Sequence, residues 1–263
     1  MTEFTQEQVE ELQKCKEDPV YFINNYVKFI HFKDGLTGIK LYEPQEKLIN
    51  KYHTNRFNIL KAPRQVVGKS STAIFYILHQ IIFQDYGTVG IFSHHQNRSI
   101  DLLVRLKVAY ENLPKWMQHG VRINNRTTFE LENGSTVIAA SISSTHTRGQ
   151  NFSLILLDEI GNNSYTKVEE FFNSVFPIIA ANKFTKVIIN SSKDFYEEQE
   201  SYFNKIWKDS EDGKNSFVRT VIKWYEIPGR DEEWKEQMIT NIGIDTWNRE
   251  FECEFEETLD AIQ

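Results

Sequence analysis

Cysteine is nearly missing from this chain: of 263 residues only Cys15 and Cys253 carry a thiol, one near each end. Neither has metal-ligand spacing around it. A lone disulfide is not expected, because the N-terminus, MTEFTQEQVEELQ, is acidic and has no apolar signal core. Both read as reduced thiols of a cytosol, where N-x-S/T triplets such as Asn97-Arg98-Ser99 carry no meaning. Long apolar runs are missing too. None approaches the roughly 20 residues that span a bilayer, so no membrane partner is expected. Positive charge is not in excess: 30 Lys and Arg against 37 Asp and Glu leave a net −7. That argues against a surface dedicated to nucleic acid, while leaving room for a local basic patch. There is no internal repeat and no low-complexity tract.

What is present is a large apolar inventory, 40% hydrophobic and 13% aromatic, enough for one large α/β domain with or without a small satellite. The N-terminal stretch is helical in pattern, with Val9, Leu12 and Cys15 on one stripe ended by Asp18-Pro19. A second short apolar segment, VYFINNYVKFIHF, precedes a turn at Asp34-Gly35 and a helix from Pro44. Strands and helices then alternate. FNILKA is a strand, Lys69 to Asp85 a helix, GTVGIFS a strand, and Ile100 to Leu113 a helix stopped by Pro114. TTFELENGSTVIAASIS is a hairpin turning at Asn133-Gly134. FSLILLDE and KVIINSS are further buried strands flanking a helix that runs through Val175. Buried strands separated by helices imply a mainly parallel, doubly wound sheet. Beyond the polar turn Asp209 to Asn215 the pattern changes to a strand, SFVRTVIKWYEI, then a turn and helix, PGRDEEWKEQM. This part holds Trp224, Trp234 and Trp247.

Two short motifs carry chemistry. In ILKAPRQVVGKSS a strand runs into a turn and then into Gly68-Lys69-Ser70-Ser71 at the start of an apolar helix. That layout aims backbone N–H groups and the positive helix end at a polyphosphate. Lys69 would bridge the β- and γ-phosphates and the Ser70 hydroxyl would ligate Mg²⁺. The opening glycine of G-x-x-x-x-G-K-S/T is replaced by Pro63. The second motif, LILLDEI, places Asp158 at the end of an apolar strand and Glu159 one residue on. Asp158 would reach the metal, and Glu159 would orient or deprotonate an attacking water. Alone, each motif is also compatible with a surface lysine at a helix start or a strand ending in solvated acids. Together, and in this order, they predict a P-loop NTPase of the ASCE, RecA-like type with a catalytic glutamate.

The details around these motifs resemble the large terminase subunits of tailed phages, DNA-packaging motors, and the T-even type above all. Arg64-Gln65 ahead of Gly-Lys-Ser resembles that family's RQ-x-GK loop, here with both Val66 and Val67 intervening. LYEPQEKLI resembles its adenine-recognition segment, TRGQNFSLILLDE its run-in to the acidic strand, VIINSSKDFYEEQESYFNKIW its coupling motif, and NREFECEFEET the end of its ATPase region. The coupling motif reads Asn190-Ser191-Ser192 where Thr-Pro-Asn is frequent.

The resemblance implies ATP as substrate and Mg²⁺ as cofactor. It implies Arg64 as a cis arginine finger, Gln65, Gly68, Lys69, Ser70 and Ser71 around the phosphates, and Ser70 with Asp158 on the metal. It also implies Gln45 and Tyr42 at the adenine, and Ser191 and Ser192 as sensors of the γ-phosphate. Arg148 is either a second finger acting on a neighbouring subunit or a structural arginine of the Arg148-Gly149 turn. The implied partners are double-stranded DNA, a portal protein on a procapsid, a small terminase subunit and further copies of the chain in a ring, in the host cytoplasm. Residues 1–215 are expected to form the ATPase core and 216–263 a small C-terminal lid or coupling part. The N-terminal segment to about residue 35 is expected to pack with the small part. The family's nuclease domain would begin near Gln263, so the chain reads as the ATPase portion of a longer protein, without nuclease activity. A RecA-like helicase fragment and a non-hydrolysing nucleotide-binding assembly module remain the alternatives. The histidines, His79, His94, His95 and His146 among them, are expected in core or surface roles.

Overall fold

A computed structural model describes residues 4–31, 33–63, 67–142, 150–192 and 201–252, the backbone alone at positions 162 and 249. The N-terminal part is built from local capping signals. Thr5 and Gln8 form a reciprocal capping box that starts α1 (Gln6–Glu17). Asp18 ends it and caps α2 (Pro19–Tyr26), accepting from Tyr21 N at 2.9 Å ahead of Pro19. A small antiparallel hairpin follows, β1 (Lys28–His31) with β2 (Gly35–Gly38), turning at Asp34-Gly35 with Gly35 at φ 70°. The sequence marks that turn but not its strands, because their side chains are exposed or half-buried and form no apolar face. Helix α3 (Glu43–Thr54) then leads into the main sheet.

The alternation continues as expected. The elements are β3 (Phe57–Lys61), α4 (Lys69–Phe83), β4 (Thr88–Ser93), α5 (Gln96–Glu111), β5 (Val121–Asn124), β6 (Thr128–Leu131), β7 (Thr136–Ser141) and β8 (Leu154–Asp158). They continue with α6 (Tyr165–Ala181), β9 (Lys186–Ser191), α7 (Tyr202–Glu211), β10 (Val218–Val221), α8 (Glu232–Ile242) and the one-turn α9 (Ile244–Trp247). Helix α5 begins four residues ahead of the expected Ile100. Its first turn is polar, so hydrophobic periodicity does not reach it. Strand β5 is exposed throughout and carries no alternation to read.

The large sheet has the order β10-β3-β9-β8-β4-β7-β6-β5. Its pairs are parallel from β10 to β7, while β6 and β5 are antiparallel additions at one edge. The central strands bury both faces, and alternate residues feed two cores. Leu60, Ile91, Leu154, Leu156 and Ile188 face α2 to α5, whereas Ile59, Phe92, Ile155, Leu157, Val187 and Ile189 face α6 and α7. This two-sided burial explains why the strands read as apolar runs and not as alternating patterns.

The N-terminal helices pack on α3 and α4, and β1 packs on α5. Phe22 meets the His79 ring edge-on at 5.7 Å, and His79 Nε2 lies 3.0 Å from the carbonyl of Cys15. Burial pushes His79 down to about 4, so it is a neutral core residue. At the other end, β10 starts two residues past the boundary expected at 215/216 and pairs in parallel with β3. The chain then closes into an aromatic cluster. Trp247 lies 5.3 Å from Trp224, 5.4 Å from Trp234 and stacks on Phe251 at 4.8 Å. Glu252 Oε1 accepts from the indole N–H of both Trp224 and Trp247, at 3.2 and 2.9 Å.

Candidate functional site

The two motifs meet at the C-terminal ends of parallel strands that are one strand apart in the sheet. Strand β9 lies between β3, which leads into the phosphate-loop sequence, and β8, which ends in Asp158, so the end of β9 enters the same site. The residue that turns the loop into α4 is Gly68, at φ 66° and ψ 28°, a left-handed conformation that side chains disfavour. The helix it starts puts Lys69, Ser70 and Ser71 in its first turn.

Four side chains form the centre. Lys69 Nζ lies 2.9 Å from Glu159 Oε1 and 3.4 Å from the Ala62 carbonyl. Ser70 Oγ donates to Asp158, 2.9 Å from one carboxylate oxygen and 3.0 Å from the other. Lys69, Asp158 and Glu159 are only 4%, 3% and 6% exposed, so these charges interact with little screening by water. Glu159 is itself in the left-handed region, φ 57° and ψ 44°, at a cost of about 1–2 kcal/mol for a residue with a Cβ. The conformation is fixed from outside: its N–H donates to Asn190 O at 2.7 Å.

The end of β9 completes the arrangement. Ser192 approaches Glu159 Oε2 with its N–H at 3.4 Å and its hydroxyl at 3.2 Å. Ser191 Oγ accepts from Gly161 N at 3.2 Å. Behind Asp158, the fully buried Tyr52 donates to Asn190 Oδ1 at 3.0 Å. Burial and the nearby Asp158 charge push the Tyr52 hydroxyl well above its ordinary value.

The two acids are tuned in opposite directions. Burial, together with the adjacent Glu159 charge, raises Asp158 to about 6 against the pull of Lys69, Ser70 and Arg98. Burial also works to raise Glu159, but the Lys69 ammonium and the hydrogen bonds from Lys69 and Ser192 outweigh it and hold the carboxyl below its usual range. A raised aspartate stabilises the fold fully only below its unfolded value of 3.8, and that contribution is lost as pH rises through about 6. The loss is on the order of 3 kcal/mol. In chelator-containing buffer, Asp158→Asn is therefore expected to be more stable than wild type at pH 7, with the gap closing towards pH 4. Urea unfolding of both proteins across that range checks it.

The donor set suits a hard divalent cation. A hydroxyl and a carboxylate lie side by side at the end of a phosphate-loop helix, and an elevated, buried Asp158 is what a cation would relieve. No group of three or more His, Cys, Asp or Glu able to hold a metal occurs among the described residues.

Other expected residues fall as follows. Gln45 reaches the loop: its Nε2 donates to Val67 O at 2.8 Å while its Oε1 accepts from Tyr42 N at 2.9 Å. Gln45 thus ties the loop to the start of α3, next to a second hollow of about 490 Å³ that Tyr42, Phe29, His31 and Phe75 help to line. Arg64, Gln65, Arg148 and His146 lie outside the described residues. The cleft itself, of about 770 Å³, is lined by Gly68 to Ser71, Ser93, Asp158 and Glu159. Residues of the C-terminal segment, Met238, Ile242 and Phe251 among them, face these across the cleft. His94 and His95 line it as well, His94 Nδ1 standing 2.7 Å from Asn163 Oδ1. The motif reading did not single out Arg98 and Arg105, which α5 brings to the same cleft. Their spacing of seven on a helix that follows a parallel strand was the available signal.

The profile of the family described as "Terminase large subunit, T4likevirus-type, N-terminal" matches residues 59–262. Among solved structures the fold is similar to the large terminase of bacteriophage HK97, with TM-score 0.70, 15% identity, and coverage of 90% of this chain and 54% of that one. It is also similar to the large terminase ATPase domain of Thermus phage P74-26, with TM-score 0.63, 16% identity, and coverage of 82% and 94%. A third is the large terminase of a thermophilic bacteriophage in complex with ATP-gamma-S, with TM-score 0.60, 11% identity, and coverage of 82% and 53%. The chain thus spans about half the length of the HK97 protein. Its sheet is that of the P-loop NTPases. By its match over most of its length, the chain belongs to the T4likevirus-type large terminase subunits, as their N-terminal region.

Proposed function

We propose that the cleft binds Mg·ATP and hydrolyses it, and that the chain is the ATPase motor domain of a DNA-packaging terminase. The observation that carries this reading is the joint placement of Lys69 on Glu159 and Ser70 on Asp158, where the start of α4 meets the end of β8. A related large terminase solved with ATP-gamma-S supports the choice of nucleotide.

In this reading the N–H groups at the start of α4 and Lys69 hold the β- and γ-phosphates. Ser70 and Asp158 hold Mg²⁺, which would neutralise phosphate charge. Glu159 leaves Lys69 when a phosphate takes its place, and it then takes a proton from the attacking water. Ser192, hydrogen-bonded to Glu159, and Ser191 behind it sense that movement and relay it along β9. Arg64 and Gln65 of the loop complete the phosphate contacts, and Arg148 is assigned to a neighbouring copy. Gln45 and Tyr42 serve the adenine side, where Gln45 exchanges its present bonds for the base. The core of about residues 1–215 would work against the C-terminal part, whose face overhangs the cleft, and move double-stranded DNA into a procapsid. Portal protein, small terminase subunit and further copies in a ring are the proposed partners, in the host cytoplasm.

The test is phosphate release from ATP by the purified chain, with and without Mg²⁺. Mg²⁺-dependent release that Asp158→Ala abolishes is expected. Release indifferent to Mg²⁺ and to Asp158 contradicts the assignment.

A further inference from the structure

The phosphate loop supplies its own lysine, yet the opposite wall of the cleft also presents positive charge. Helix α5 leaves β4 at Ser93, which is the direct neighbour of Asp158 across the sheet. Arg98 stands in the first turn of α5 and Arg105 seven residues later. That spacing returns to the same helix face about 10 Å further along the axis. Leu102, Leu103 and Leu106 are buried between and beside them and fix the face that α5 shows to the cleft. Both arginines line it and both are exposed. Among the described residues, neither has a carboxylate within ion-pair distance.

Their nearest features are those of the nucleotide site. Arg105 Nη1 donates to Ser71 Oγ at 3.2 Å, on the first turn of α4. Arg98, five residues beyond Ser93, lines the same cleft wall as Ser93 and Asp158. An arginine with a merely solvated head would sit equally well anywhere on α5. These two instead line the cleft that Lys69, Asp158 and Glu159 also line, and Arg105 reaches Ser71.

We propose that Arg98 and Arg105 are phosphate-contacting residues, Arg98 at the terminal phosphate and Arg105 at the opposite, α-phosphate end. This deepens the ATPase reading and rests on it. The planar guanidinium offers paired donors that match phosphate oxygens. A positive group lining the same cleft as Asp158 and Glu159 is available to charge that develops during γ-phosphoryl transfer. The assignment also places a charge-stabilising group on this chain's own α5, independent of the loop and of any neighbouring copy.

The experiment measures Kd for ATP-gamma-S and for ADP by fluorescence displacement, and kcat and KM for ATP, on the whole chain. It uses Arg98→Ala, Arg98→Lys, Arg105→Ala and wild type, with circular dichroism and thermal midpoints as fold controls. Arg98→Ala is expected to lower kcat by about 100-fold. It should also weaken ATP-gamma-S about 10-fold more than ADP, with Arg98→Lys recovering part of the binding. Arg105→Ala is expected to weaken both nucleotides alike, by about 10-fold, its loss falling on KM and Kd. If wild type binds and hydrolyses while folded variants match it in every constant, the two arginines are solvated surface groups and this inference fails alone. If Arg98→Ala weakens ADP as much as ATP-gamma-S, the placement at the terminal phosphate is wrong. If wild type neither binds nor hydrolyses, the nucleotide reading fails and takes the inference with it.

Discussion

Lys69→Ala is expected to abolish tight nucleotide binding and to destabilise the protein at neutral pH. Truncating one member of a buried, hydrogen-bonded charge pair costs roughly 2–5 kcal/mol of binding, or about 30-fold and upwards in Kd. The fold suffers as well, because Lys69 is the cation opposite a buried Glu159, 2.9 Å away. Breaking such a pair from one side costs about 3–5 kcal/mol, since the remaining charge stays buried. The pH dependence has a definite sign. With Lys69 in place, Glu159 is held below its ordinary 4.5 and stabilises the fold above that pH. Without Lys69, burial is opposed only by the Ser192 hydrogen bonds and is expected to prevail, so the ionised form becomes a cost. The stability deficit of Lys69→Ala is therefore expected to be full near pH 7 and to shrink as pH falls from the raised Glu159 value of the variant to the lowered value of wild type. Adding Glu159→Gln to Lys69→Ala should recover part of it. Urea unfolding of the single and double variants at pH 4 and pH 7 checks both statements. A deficit that grows on acidification would contradict the role given to the pair.

Glu159→Gln separates binding from chemistry. The amide keeps the size of the carboxylate and can still meet Ser192, so the left-handed backbone and the end of β9 stay supported. It cannot accept a proton from water, and general-base catalysis is worth roughly 10²–10⁴-fold. Turnover is expected to fall by that factor. Binding should hold or tighten, because the glutamine no longer competes with phosphate as the anion of Lys69. Equilibrium binding of ATP-gamma-S beside steady-state phosphate release measures the two effects separately. Equal loss of both would make Glu159 a structural partner of Lys69 and nothing more.

Much of this site is legible in the sequence because it rests on short-range signals. Gly68-Lys69-Ser70 opens an apolar helix after an apolar strand, and Asp158-Glu159 ends another; parallel pairing through β9 then places both at the C-terminal ends of the strands. The central strands are readable for a related reason, since burial on both faces leaves continuous apolar runs such as Leu154–Leu157. What the sequence does not give is long-range contact. Glu159 reads as a base for water, and only the fold shows that Lys69 and Ser192 now hold its two oxygens. Gln45 reads as an adenine contact, yet both ends of its amide are engaged by the loop and by Tyr42. Arg98 and Arg105 look like ordinary charges on an exposed helix face until the register of Ser93 with Asp158 brings that helix to the cleft. Weakly patterned elements, β1, β2 and β5, escape because half-buried or exposed strands leave no alternation.

One cleft is assigned both the binding and the hydrolysis of Mg·ATP, and both events can be followed in the same samples. Nucleotide binding and phosphate release would be recorded for wild type and Glu159→Gln over a Mg²⁺ titration. Wild type should bind and turn over only with Mg²⁺, while the variant binds and does not turn over. Binding by both with turnover by neither would leave a nucleotide-binding module and contradict the hydrolytic role. Absence of binding in wild type would remove the phosphate site itself.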